Sequence, residues 1–94
     1  MNNIIKIECD KTINILVGFD AGKNTYEKQV KDKIVFNENL TIIIPNNIKR
    51  IGSSFTQGFF KEIKEKIGIR GIENQIEIKS DEINFKDSVI ENLV

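Results

Sequence analysis

Apolar and polar residues alternate with different periods along the chain, and these periods predict four strands. Two short apolar runs, residues 3–8 and 12–18, predict strands that can form a hairpin. Residues 40–44 form a continuous β-branched run, which predicts a strand buried on both faces, in a sheet sandwiched by helices. Residues 75–79 alternate apolar and polar and predict an edge strand, whose segment 76–78 can also pair across a homodimer.

Three other stretches repeat with the helical period. Apolar residues from Tyr26 onward predict a first helix beginning at Thr25, after a polar loop over residues 19–24. A second helix is expected from near Ser54 to a stop at Gly68, and a third at the C-terminus with Asn84 as its cap. The apolar positions are Tyr26, Val30 and Ile34, then Phe55, Phe59, Phe60, Ile63 and Ile67, then Phe85, Val89, Ile90, Leu93 and Val94.

The order of these elements predicts the fold class. It is β-β-α-β-α-β-α, within a single domain that spans residues 1–94. Alternation of strand, helix and strand favours right-handed crossovers and a mainly parallel sheet. The prediction is therefore an α/β fold with a four-stranded mixed, mainly parallel sheet and three helices, with a turn at Ser80-Asp81 before the last helix.

The charge balance and the histidine and cysteine content limit the classes of function that we expect. Fourteen basic residues balance 14 acidic ones, so we expect no general attraction to nucleic acid or to a membrane. The chain has no histidine and one cysteine, Cys9, which argues against histidine-based triads and zinc sites. We therefore expect no cofactor, no metal and no enzymatic activity. The sequence carries no recognisable signal peptide or membrane-spanning apolar run, so the expected location is the cytoplasm.

The segment GFDAGKNT, residues 18–25, resembles a phosphate-binding loop only in part. Its spacing is one residue short, and asparagine follows the lysine where that loop requires serine or threonine. A solvated loop that leads into a helix is the favoured interpretation.

The start of the second helix carries the strongest candidate site. Gly52 permits a sharp turn, and Ser53 or Ser54 then supplies an N-cap. A hydroxyl here is either a structural cap or a presented site, where free backbone amides and the helix dipole favour a phosphate or acidic group. Lys49 and Arg50 precede the serines. These two basic residues either increase solubility or complement an acidic or phosphorylated surface on a partner protein.

The phenylalanines of this helix have two interpretations. Most of them fill the core, but adjacent Phe59 and Phe60 point in different directions on a helix, so one of them is a candidate for the margin of the apolar face. An exposed aromatic side chain next to the serines would serve as an interaction anchor.

From residue 40 onward the chain resembles the STAS-like family of unknown function. These proteins are small bacterial relatives of the STAS domain, which is named for sulphate transporters and anti-sigma factor antagonists. The resemblance rests on a buried strand, then Gly52-Ser53-Ser54-Phe55, then Phe59 on a helix ending near Gly68, then a strand and a terminal helix. It is clearest over residues 40–94 and looser over residues 22–35.

The resemblance implies a helix-covered sheet that works through protein contacts without a cofactor. In the antagonists, a partner kinase phosphorylates a serine at the corresponding helix start, and this switches binding off. That role would fall on Ser53 or Ser54, although Gly52 stands where the antagonists usually carry aspartate.

The expected function is a non-enzymatic bacterial regulatory module that binds a protein partner, for example a histidine-kinase-type ATPase. An alternative is a stand-alone inhibitor of a host protein, encoded by a phage or mobile element. An enzyme acting on a small ligand would need a pocket with convergent polar groups, which the sequence does not predict. The candidate partner-binding residues are Lys49, Arg50, Ile51, Ser53, Ser54, Phe55, Gln57 and Phe59.

Overall fold

Strands and helices follow one another in the order β-β-α-β-β-α-β-α over the described residues. The computed structural model describes residues 3–80 and 85–93. Within these ranges the strands are β1 (Asn3–Lys6), β2 (Ile15–Leu16), β3 (Leu40–Ile43), β4 (Arg50–Ile51) and β5 (Ile76–Lys79). The helices are α1 (Phe19–Gln29), α2 (Ser53–Gln75) and α3 (Lys86–Leu93). The predicted cap Asn84 and the Asp81 half of the predicted turn lie outside the described residues.

The strands form two small parallel sheets. The larger has the order β1-β3-β5, and the smaller pairs β2 with β4. The predicted α/β class and the mainly parallel pairing are confirmed. The predicted four-stranded sheet is wrong, because β2 lies outside the larger sheet and pairs with β4, a strand that the sequence analysis did not predict.

The predicted hairpin between the first two strands is also wrong, since β1 pairs with β3. The chain between β1 and β2 is held by side chains instead of by a tight turn. The Asn47 amide donates hydrogen bonds to the carbonyls of Asp10 (3.2 Å) and Ile13 (2.7 Å). The Gln29 side chain both accepts from and donates to the backbone of Glu8. These contacts lead the chain on to β2, which lies parallel to β4.

Helices cover one face of the three-stranded sheet. Alternate residues of β3 are only half-buried, so the prediction that this strand is buried on both faces is wrong. Residues that are paired in a parallel sheet point to the same side, so each row of the register belongs to one face. The row Ile5, Ile42 and Ile78 is buried, whereas the adjacent row Ile4, Thr41 and Glu77 is half-buried or exposed.

Helix α1 begins at Phe19, so the loop predicted over residues 19–24 is wrong. Gly18 precedes it with φ 96, a left-handed conformation that favours glycine. Gly22 lies inside this helix and not in the predicted loop. A Cβ atom there would collide with the carbonyl oxygen of Phe55 on α2, and a Cβ atom at Gly58 would collide with the carbonyl oxygen of Phe19 on α1. The two glycines therefore let the backbones of α1 and α2 touch.

Helix α2 changes direction at Gly68, where the predicted helix stop lies. Gly68 has φ 70 and ψ 174, which is not helical. The helix then resumes and continues to Gln75, because Ile72 packs into the core and keeps the following turn against it. The helix stop predicted at Gly68 is thus a kink within α2. Strand β5 begins at Ile76, directly after the end of α2, and is the edge strand predicted for that segment.

We predict that Gly22→Ala and Gly58→Ala each destabilise the protein by about 2–3 kcal/mol, because the added methyl group meets rigid backbone and the helices must separate. Urea unfolding measures the change. The control is Asn24→Ala, an exposed position on the same helix, which should change the free energy of unfolding by less than about 0.5 kcal/mol. Equal stability of all three variants would contradict the backbone contact.

Candidate functional site

Two serines open α2, but neither of them caps it. Gly52 is the N-cap residue, with φ −72 and ψ 155, and no side chain caps this helix end. Ser53 and Ser54 are the first two helical residues, and both are exposed. The prediction that a serine supplies the cap is therefore wrong, and the structural explanation for their presence is weakened.

The hydroxyl groups of Ser53 and Ser54 have different neighbours. The Ser54 hydroxyl oxygen accepts a hydrogen bond from the backbone N–H of Gly18 at 3.2 Å, which ties the start of α2 to the start of α1. Ser53 lines a groove between the start of α2 and α3.

The groove beside Ser53 collects part of the predicted site. Its volume is about 400 Å³, and Lys49, Arg50, Ile51 and Ser53 line one side. The other side comes from the α3 region, which the sequence interpretation missed. The sequence feature that could have indicated this side is the pair of polar residues Ser88 and Asn92, which lie four positions apart and therefore on the same face of a helix. The α3 region contributes Phe85, Ser88 and Asn92.

Electrostatics at this end of α2 favour an anionic group. The first turn of α2, which is fully described, contains no acidic residue. Helix N-termini carry partial positive charge and unpaired amide groups. Arg50 is exposed beside them on β4. The arrangement can attract a carboxylate or phosphate group.

The predicted aromatic anchor on α2 is wrong. Phe55, Phe59 and Phe60 are all buried, and the ring of Phe59 packs edge-on against Tyr26 and Phe60. Phe55 and Phe59 therefore support the surface from below and do not present their side chains to a partner. An exposed aromatic residue does lie nearby, but it is Phe19 of α1, which lines a shallow groove with the exposed Gln57. It was missed because residue 19 was assigned to a polar loop.

Tyr26 sits at the α1–α2 contact with 2% of its surface exposed. Burial raises the pKa of Tyr26 from 10.0 to about 12, and the nearby Glu62 carboxylate acts in the same direction by disfavouring a negative phenolate. The hydroxyl makes no hydrogen bond of normal geometry within the described residues, although the nearby Glu62 side chain can accept one and so also raises the pKa. Tyr26 is therefore a buried part of the α1–α2 contact and does not belong to the candidate site.

Thr56 is a second buried polar residue without a partner. It is 1% exposed, and its hydroxyl makes no hydrogen bond within residues 3–80 and 85–93. The group borders a cavity of about 20 Å³ whose other lining residues are apolar. A space of this size holds one water molecule at most, so it is a packing defect under α2 and not a ligand pocket.

Residues 3–80 and 85–93 contain neither a cluster of metal ligands nor a helix that could span a membrane. No cluster of three or more histidine, cysteine, aspartate or glutamate residues that could ligate a metal occurs there. Burial raises the pKa of the Cys9 thiol, which disfavours the reactive thiolate. None of the helices in the described ranges combines the length and apolarity needed to span a bilayer.

No protein-family model, curated protein or solved structure matches this chain. The STAS-like resemblance consequently stays a prediction from the sequence.

We predict that Thr56→Val stabilises the protein by up to about 1 kcal/mol, because it removes an unpaired buried hydroxyl at nearly constant shape. The matched control is Thr25→Val on α1, whose hydroxyl donates a hydrogen bond to the Ala21 carbonyl at 2.8 Å and should not be stabilised by the change. Urea unfolding of both variants tests the difference. Destabilisation of Thr56→Val beyond the control would show that the hydroxyl has a partner.

We predict that stability falls between pH 10 and about pH 12 because of Tyr26. In this window the unfolded chain releases the phenol proton while the folded chain retains it, so ionisation favours unfolding. Tyr26→Phe should remove this part of the pH dependence. Because Tyr26 is the sole tyrosine, phenolate absorbance of the folded protein reports its titration directly. A midpoint near pH 10 in the folded state would contradict the effect of burial.

Proposed function

We propose that this chain is a non-enzymatic regulatory module that binds a protein partner through the start of α2. The docking surface consists of Lys49, Arg50, Ser53, Ser54 and Gln57. The observation that carries the proposal is the exposure of both serines at a helix start that neither of them caps. Since the Ser54 hydroxyl also accepts a hydrogen bond from Gly18, the proposal rests mainly on Ser53, which is exposed beside the exposed Arg50.

The resemblance to STAS-like proteins supplies the proposed class of partner. It suggests a histidine-kinase-type ATPase, in a bacterial cytoplasm, whose kinase activity modifies Ser53 or Ser54. A phosphate adds nearly two negative charges, which a docked interface would have to desolvate. Ser53 is the more accessible acceptor, because the Ser54 hydroxyl already accepts a hydrogen bond from Gly18.

Three exposed positions test the docking surface without disturbing the core. Arg50→Glu, Ser53→Glu and Gln57→Arg each alter a side chain that is exposed in the folded protein. We expect each to reduce recovery of the partner from native-host lysate by about tenfold, the size of effect seen for residues that dominate an interface. Quantitative mass spectrometry identifies the partner and also reports phosphate on either serine.

The control is Lys28→Glu, an exposed position in the last turn of α1 with the same charge change as Arg50→Glu. It should recover the partner as well as wild type does. Capture of an ATPase that depends on the docking surface supports regulation, whereas capture of an unrelated host enzyme supports the inhibitor alternative. Equal capture by all four variants would show that the partner, if any, binds elsewhere.

A further inference from the structure

We draw no further inference here: the strongest candidate, the patch of exposed apolar side chains that residues 13–19 form along β2 and at the start of α1, carries nothing because no feature of the described residues shows what covers it.

Discussion

Backbone contact between α1 and α2 is the constraint on which the rest of the structure depends. With hydrogen atoms in place of side chains at Gly22 and Gly58, each helix reaches the other's backbone within its first two turns. The contact brings the two helix starts together, so that Gly18 donates to Ser54 and Phe19 lies beside Gln57. A larger residue at either glycine would move α1 and disperse the groups that now share one surface.

The same constraint gives the two halves of the chain a common arrangement. In each, a strand of the larger sheet is followed by a strand of the smaller sheet, a glycine N-cap and a helix. Because β1 is parallel to β3 and β2 to β4, both helices start at the same end of the molecule. Exposed serines, cations and the exposed apolar side chains between residues 13 and 19 therefore gather there, although they come from segments well separated in sequence.

Local rules of folding are broken mainly around β2. The buried residues form one apolar cluster, in which the hydroxyl groups of Tyr26 and Thr56 are small internal defects. Around β2, by contrast, large apolar side chains remain exposed on a strand that is paired on one side only within the described residues. Natural proteins usually protect such edges, and β2 is only two residues long, which limits the backbone it offers for pairing.

Periodicity in the sequence was enough to determine the α/β class, the three helices and the parallel order, because it records which residues share a face. It could not determine what covers each face. Phe59 of α2 packs against Tyr26 of α1, and alternate residues of β3 remain half-buried in the part of the chain that the structure describes. Gly22 was assigned to a loop because the sequence does not show that α2 contacts it. The close approach of the α2 backbone is what requires glycine at this position inside a helix. Local pattern specifies an element, whereas long-range packing decides which of its side chains meet solvent.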